Sequence, residues 1–279
     1  MKIAFLGPDA SFTSLAAGQV FPADELVPYS SIRDCFMAVL DGQADRAVVP
    51  LENSIEGTVS MTLDYLYEFQ GLYIQAEVVM PIAHHLLVHP QSSGIDRILS
   101  HPQAHAQCFH FMEDNYRNIP RQDYNSTAAS AKYASEHPEE NVAAIANTHA
   151  AKAYGLKIVH HNIHDFEQNH TKFIVLGREK EECTLSFQNV SEKTSLLITL
   201  PDDHAGGLHQ VLSVFAWRKM NLSKIESRTQ KKGLGNYFFF LNVATPWHPV
   251  HSQNAIEELK SIGAAVTFLG HYNEFLLSD

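Results

Sequence analysis

Residues 169–176 place a hydroxyl, a cation and an aromatic ring side by side, at Thr171, Lys172 and Phe173, just ahead of a β-prone apolar stretch. Threonine and phenylalanine both favour strands, so on spacing alone the run is the plain start of a strand. The alternative is chemical, because a hydroxyl can donate a hydrogen bond and a lysine can pair with an anion. Similar clusters elsewhere in the chain bear on this choice.

Neutral hydrogen-bonding side chains also stand after two predicted strands nearer the N-terminus. The turn that follows the strand-like residues 2–6 carries Ser11, and Asn53 and Ser54 follow an apolar run. Amide and hydroxyl groups can bind a carboxylate without changing its charge. Taken alone, an Asn-Ser pair ahead of Gly57 is more often an ordinary turn than a site.

Two further clusters stand where helices are predicted to begin. A proline suits the first helical position of one helix, so Ser100 or His101 caps it, and Gln107 lies about two turns further on. Two hydroxyls, Ser126 and Thr127, open the other helix. Helix N-termini offer free N–H groups and a positive dipole end to an anion. The simpler interpretations are ordinary caps for the serines and a surface amide for Gln107.

Composition indicates a soluble globular protein: the chain has 279 residues, 45% of them hydrophobic and 18% charged. A formal charge of -11 argues against nucleic-acid partners, and it means that local donors must bind any anionic substrate. The apolar runs are too short to span a bilayer, and the opening run is unlike a signal peptide. Three cysteines without metal-ligand spacing predict a cytoplasmic location.

The chain divides into two regions by pattern. Strand-like and helix-like segments alternate up to about residue 180, which predicts an α/β unit with ligands at the carboxyl ends of its strands. Residues 177–193 are charged and polar and are interpreted as a linker. Residues 194–279 show the β-α-β-β-α-β order of the ferredoxin-like fold.

Taken together and in this order, four motifs resemble the prephenate dehydratase family. The motifs are residues 7–12, 49–57, 100–108 and 169–176. The resemblance covers nearly the whole chain and implies a carbon–oxygen lyase, a hydro-lyase. Its reaction would be the decarboxylating dehydration of prephenate to phenylpyruvate, CO2 and water in L-phenylalanine biosynthesis.

The resemblance also implies an architecture. Residues 1–180 would form a two-lobed catalytic domain of α/β class, similar to the periplasmic-binding-protein fold, with the active site between the lobes. Lobe 1 is expected over about residues 1–76 and 157–180, and lobe 2 over about residues 77–156. Since the opening strand begins at residue 2, we expect a monofunctional enzyme without a preceding chorismate mutase domain.

Roles for individual residues follow from the same resemblance. Thr171 would donate a hydrogen bond or proton to the leaving hydroxyl, Lys172 would support a carboxylate, and Phe173 would pack beside the substrate ring. The family usually has Arg at the position of Lys172, and Lys lacks the bidentate fork of Arg. The implied catalytic residues are Thr171, Asn53, Ser100 and Gln107, and the implied substrate-binding residues are Ser11, Ser54, Ser126, Thr127, Lys172 and Phe173.

Residues 206–212 and 226–229 resemble the two motifs of the ACT amino-acid-sensing domain, although Thr229 stands where a proline is usual. The implied effector is L-phenylalanine, bound by Gly207, Leu208, His209, Glu226, Ser227 and Arg228. We expect a homodimer or homotetramer, because paired ACT sheets would cover each other's edge strands. We also expect a fragment ending near Lys180 to stay active. The alternative is a ferredoxin-like domain that serves only to dimerise.

Two other functions and a metal site are alternatives to this interpretation. One alternative is an arogenate dehydratase, whose substrate differs from prephenate only in carrying an amino group in place of the keto group. The other is a non-catalytic amino-acid-sensing protein, which would have the same two lobes but would not turn over a substrate. Among the seventeen histidines, His101 and His105 have helical spacing, but no carboxylate completes a ligand set. No glycine-rich phosphate loop is present either, so we predict neither a metal nor an organic cofactor.

Overall fold

Two β-sheets organise the chain, and the computed structural model describes residues 1–202, 204–230 and 237–277 of it. The strands are β1 (Lys2–Leu6), β2 (Glu25–Tyr29), β3 (Arg46–Asn53), β4 (Gly57–Thr58), β5 (Tyr73–Pro81), β6 (His85–Val88), β7 (Arg97–Ser100), β8 (Arg121–Asp123), β9 (Val142–Ala146), β10 (Lys157–His160), β11 (His170–Gly177), β12 (Gln188–Thr199), β13 (Leu222–Thr229), β14 (Tyr237–Val243) and β15 (Ala265–Leu276). The helices are α1 (Phe12–Val20), α2 (Ile32–Leu40), α3 (Ser60–Glu68), α4 (Pro102–Gln107), α5 (Phe109–Tyr116), α6 (Thr127–Glu136), α7 (Thr148–Ala153), α8 (Gly207–Trp217) and α9 (Pro249–Ser261), with a 3₁₀ turn at Pro138–Glu140.

The larger sheet runs through both halves of the chain in the order β13-β14-β12-β15-β5-β11-β3-β1-β2, with β4 beside β3. The smaller sheet has the order β10-β6-β9-β7-β8. Helices cover both faces of the first lobe, which is why its central strands are almost wholly apolar. On β1, Ile3 and Phe5 pack with α1 residues such as Ala16, whereas Ala4 faces the cluster that contains Phe36 of α2. The predicted α/β class is confirmed.

The chain leaves and re-enters the first lobe later than the sequence predicted. All of β5 belongs to the larger sheet, so the crossing follows Pro81 rather than lying near Glu77. β10 pairs antiparallel with β6 of the smaller sheet, so the return lies between His160 and His170 rather than near Lys157. A strand pattern does not reveal which sheet the strand will join, since that depends on contacts distant in sequence.

The C-terminal region has the predicted ferredoxin-like order: β12, α8, β13, β14, α9 and β15 follow in sequence, with strands arranged β13-β14-β12-β15. The linker is shorter than predicted, because β12 already begins at Gln188 and pairs with the end of β15. β15 then pairs in parallel with β5, so one sheet continues from the C-terminal region into the first lobe.

The two regions also share a hydrophobic core. Phe238, Phe240 and Tyr272 from the C-terminal strands lie in one buried cluster with Phe36 and Leu63 of the first lobe. Burying aromatic side chains of this size contributes on the order of 2 kcal/mol each. The C-terminal region is therefore fused to the first lobe through packing as well as through the sheet. None of the helices that the structure describes is long and apolar enough to cross a bilayer.

Candidate active site

A cleft of about 690 Å³ lies between the two lobes. Its wall combines the strand ends of the first lobe with the helix starts of the second. Six of the sequence-predicted site residues line it: Ser11, Asn53, Gln107, Ser126, Thr127 and Thr171. Residues more than a hundred positions apart in sequence thus meet in one cavity.

Asn53 and Thr171 form the polar centre of the first-lobe wall. β3 and β11 pair antiparallel with Asn53 opposite Thr171, which places both side chains at the same end of the sheet. The Asn53 Oδ1 atom accepts hydrogen bonds from the backbone N–H groups of Ile55 and Glu56, at 3.0 and 3.1 Å. This orients the amide, and Asn53 Nδ2 donates to Thr171 Oγ1 over 2.9 Å. Because Oγ1 acts as an acceptor there, its own hydrogen is left for another partner.

Helix N-termini supply the cleft with anion-binding character. Ser11 caps α1 by accepting from the Ser14 N–H, and Ser126 caps α6 by accepting from the Ala129 N–H. Both capping residues line the cleft. The positive ends of these helix dipoles favour negative charge. No lysine or arginine lines the cleft within the described ranges, so the helix N-termini and the neutral amides and hydroxyls are donors available there to an anion.

Two predicted serines lie outside the cleft. Ser100, predicted to be catalytic, is fully buried, and its hydroxyl donates to the backbone oxygen of Ile145 over 2.8 Å. His101 rather than Ser100 caps α4. Ser54 exchanges hydrogen bonds with the loop before β11, donating to the backbone oxygen of Gln168. Its hydroxyl thus ties two segments of the chain together at the place where a substrate contact was predicted.

Lys172 and Phe173 also lie away from the cleft, where the resemblance implied that they would contact the substrate. Successive side chains of a strand point to opposite faces, so Lys172 turns away from the cleft that Thr171 lines. Its Nζ atom lies 3.8 Å from Glu52 and 3.9 Å from Glu77, where it joins an ionic cluster. Phe173 follows a bulge in the β11 pairing and is buried in the core that packs on α1. Neither residue lines the cleft, although both were predicted to contact the substrate.

The ionic cluster that Lys172 joins lies where β5, β12 and β15 run side by side. Lys193 Nζ lies 2.8 Å from a Glu77 oxygen and 2.7 Å from a Glu274 oxygen. Burial alone would lower the pKa of Lys193, but Glu77 and Glu274 together raise it, so the ammonium stays charged. Burial likewise opposes the charge of Glu274, yet its hydrogen bonds to Lys193 and Ser191 lower its pKa to about 2.

The residues predicted to bind an effector are not gathered at one place in a single chain. Gly207, Leu208 and His209 begin α8, which packs on one face of the C-terminal sheet. Glu226 and Arg228 pair with Phe240 and Phe238 and so point to the opposite face, toward the first lobe. The charged pair is engaged there: Glu226 accepts from Thr58, while Arg228 binds Asp64 and Ser60. Ser227 is exposed.

The histidines do not form a metal site in the part of the chain that the structure describes. The two with helical spacing have other partners. His101 caps its helix, and the Nε2 atom of His105 lies 3.2 Å from the backbone oxygen of Gln122. The cysteines Cys35, Cys108 and Cys183 are buried and free.

The sequence reasoning missed two buried residues at the site. His84 lines the cleft, and Asn169 lies behind it; both contact the Gln107 side chain. Asn169 stands two residues before Thr171 in the same motif, and this position was the available sequence signal for it. The sequence signal for His84 was a pair of histidines at the start of a strand, which is no guide to function by itself.

Comparison with known proteins identifies the family of the chain. A family model for prephenate dehydratase matches residues 3–181. A prephenate dehydratase of Bacillus subtilis is 44% identical and aligns over 99% of this chain and 100% of its own length. One from Lactococcus lactis is 41% identical, with full coverage of both chains. The crystal structure of a prephenate dehydratase from Arthrobacter aurescens, in complex with L-Phe, is similar with a TM-score of 0.86 and 35% identity, over 98% of this chain and 89% of that one. The chain belongs to the prephenate dehydratase family.

Proposed function

We propose that this chain is a prephenate dehydratase, which converts prephenate to phenylpyruvate, CO2 and water in L-phenylalanine biosynthesis. The reaction breaks the bond between the ring carbon and the hydroxyl and the bond between the ring and its carboxylate. The electrons released with CO2 complete the aromatic ring, so no base is required. A proton donor near the hydroxyl oxygen assists its departure as water.

The bond from Asn53 to Thr171 is the single observation that supports this proposal most. Because Asn53 Nδ2 donates to Thr171 Oγ1, the threonine hydrogen is available to the leaving hydroxyl in the cleft. Asn53 in turn is oriented by two backbone N–H groups, so the arrangement exists before substrate binds. Such preorganisation avoids a reorganisation cost in the transition state.

The substrate is a dianion, and the cleft can hold it without a cation. The capped N-termini of α1 and α6 present backbone N–H groups near Ser11 and Ser126. Neutral donors bind a carboxylate without neutralising it, which leaves the ring carboxylate free to lose CO2. This fits the overall charge of -11, which gives no long-range attraction to anions.

The test is incubation of the purified chain with prephenate while phenylpyruvate formation is followed, with arogenate in a parallel reaction. We expect turnover of prephenate in preference to arogenate. Preferential formation of phenylalanine from arogenate would support an arogenate dehydratase instead. Binding of prephenate without turnover would indicate a non-catalytic sensor.

We further propose that residues 188–277 form an ACT domain through which L-phenylalanine inhibits the enzyme. A relative crystallised with L-Phe supports the choice of effector. Two copies of the chain would bring Gly207, Leu208 and His209 of one copy to the edge strand β13 of the other. β13 ends the larger sheet, and its Ile225 side chain is 43% exposed, which suits pairing between copies.

A homodimer or homotetramer in the cytoplasm is part of the same proposal. Free, buried cysteines are consistent with a reducing compartment. Sedimentation analysis with and without L-phenylalanine tests the assembly, and a monomer under both conditions would contradict it.

A further inference from the structure

The Gln107 side chain has a buried donor without a partner. Its exposure is 3%, and its Oε1 atom accepts from Asn169 Nδ2 over 2.9 Å and lies 3.0 Å from His84 Nε2. Its Nε2 atom has no hydrogen-bond partner among the described residues, and Gln107 lines the cleft. Leaving a buried amide N–H₂ unpaired is unfavourable, so Nε2 is available to donate a hydrogen bond to a bound group.

The orientation of this amide follows from a chain of hydrogen bonds that begins at the backbone. The N–H groups of Ile55 and Glu56 make Asn53 Oδ1 the acceptor, so Asn53 Nδ2 must donate to Asn169 Oδ1, at 2.9 Å. Asn169 Nδ2 then donates to Gln107 Oε1. A flipped Gln107 would set two donors against each other, so Nε2 is the atom left without a partner among the described residues.

The same sequence of bonds decides which nitrogen of His84 carries a hydrogen. Gln107 Oε1 can only accept, so His84 Nε2 must donate. The ring is held by an edge contact with Phe12 and a second with His164, and its backbone N–H donates to His164 Nδ1. His84 Nδ1 is buried and has no partner among the described residues, which suits a neutral ring.

We propose that His84 is a positioning residue: together with Asn169 it holds the Gln107 amide so that Nε2 donates a hydrogen bond to a carboxylate oxygen of the substrate. The inference rests on the proposed function, and it names a binding group for one of the two substrate carboxylates. It also connects that group to Thr171, because Asn53 donates to both Asn169 and Thr171. One hydrogen-bond network thereby holds both Gln107, which would bind the carboxylate, and Thr171, which would donate the proton.

The first test compares two substitutions of equal length at one position. The terminal nitrogen of glutamine can occupy the place of His84 Nε2 and still donate, whereas methionine cannot. We expect His84→Met to raise the KM for prephenate about tenfold with a smaller change in kcat, as expected for lost ground-state binding to a charged group. His84→Gln should recover most of that loss. Equal KM values for both variants and the wild type would overturn the proposal.

The second test asks whether His84 acts through Gln107. Gln107→Met removes the donor to the substrate, and His84→Met is then introduced into that background. If His84 only positions Gln107, the second substitution should cause no further loss in kcat/KM, although the two effects would multiply if they were independent. Multiplying effects would overturn the proposal. Circular dichroism and thermal unfolding of each variant establish that it is folded.

A third measurement does not depend on turnover or on any variant. ¹⁵N NMR of the imidazole nitrogens in the wild-type chain shows which of them bears hydrogen. We expect His84 to carry hydrogen on Nε2, and hydrogen on Nδ1 alone would overturn the proposal. If the chain fails to convert prephenate while this tautomer is found, the proposed reaction is wrong and the orientation of Gln107 stands.

Discussion

The hydroxyl of Thr58 donates a hydrogen bond to Glu226 across 3.0 Å and so joins the wall of the cleft to the edge strand of the C-terminal region. Lys224 Nζ strengthens this contact, since it donates to Thr58 Oγ1 at 2.7 Å and to Glu52 at 2.9 Å. Thr58 belongs to β4, which pairs with β3 at Asn53 and the residue before it. A shift of β13 would therefore reach the polar centre of the cleft through one short strand.

Replacing Lys224 tests whether this contact transmits inhibition. If β13 couples effector binding to the cleft, Lys224→Met should raise the L-phenylalanine concentration for half-inhibition about tenfold, a coupling of about 1.4 kcal/mol. Lys260→Met is the matched control, because among the described residues that lysine pairs with Glu257, an exposed glutamate on the same helix, α9. An inhibition curve for Lys224→Met that coincides with the control would show that coupling takes another route.

Thr171→Ala should lower kcat for prephenate by roughly a hundredfold or more, the scale for loss of a positioned proton donor. Thr171→Ser keeps the hydroxyl that Asn53 orients and should retain much more activity. Steady-state kinetics on both variants, with folding checked by circular dichroism, distinguishes the hydroxyl from the methyl group. Near-wild-type kcat in a folded alanine variant would exclude the proposed role.

Replacing Lys193, which is buried, should lower stability much more than replacing Lys172, which is partly exposed. Lys193→Met leaves the fully buried Glu77 without its 2.8 Å partner, and we expect a loss of about 3–5 kcal/mol in the free energy of unfolding. Lys172 makes longer contacts and its side chain is 36% exposed, so Lys172→Met should cost about 1 kcal/mol or less.

Urea unfolding of both variants measures these differences, and kinetics on Lys172→Met gives a second result. Since Lys172 does not line the cleft, the KM of the Lys172→Met variant for prephenate should stay within about twofold of the wild-type value. A large rise in KM would restore the role in substrate binding that the resemblance implied.

Removing the C-terminal region should abolish folding rather than regulation alone. A chain that ends near Lys180 loses Phe238, Phe240 and Tyr272 from a core shared with Phe36 and also loses the strand that pairs with β5. We therefore expect an aggregated fragment, in contrast to the active fragment that the sequence suggested. Recovery of a soluble, active and phenylalanine-insensitive fragment would show that the first lobe tolerates this exposed surface.

His84 should make the protein less stable in mild acid. Burial, helped by the neighbouring His164 and His85, lowers the pKa of His84 from its ordinary value of 6.5 to about 4, although Gln107 opposes the shift. Between these values the unfolded chain binds a proton that the folded chain does not, so stability falls as the pH decreases. Between about pH 7 and about pH 5.5 the His84 contribution should be about 1 kcal/mol.

Urea unfolding of the wild type and His84→Gln at the two pH values isolates this contribution, because the variant lacks the titrating ring. The wild type should lose more stability than the variant on acidification. An equal loss in both chains would show that His84 binds its proton in the folded state.

The local order of elements was determined by the sequence. The alternation of short strands and capped helices predicted the α/β class, and the β-α-β-β-α-β pattern predicted the C-terminal topology that the structure has. The helix start at Ser126 was found because a cap depends on residues only two or three positions away. The motif order was sufficient to identify the family.

Only the tertiary structure decided which of the motif residues face the cleft. Thr171 and Lys172 are neighbours in the chain, but strand alternation sends one to the cleft and the other to an ionic cluster with Glu77. Gln107 acquires its orientation from His84 and Asn169, which stand 23 and 62 positions away. Hydrogen-bond direction and the face of a strand are set by contacts between distant segments, which a local pattern of residue types does not contain.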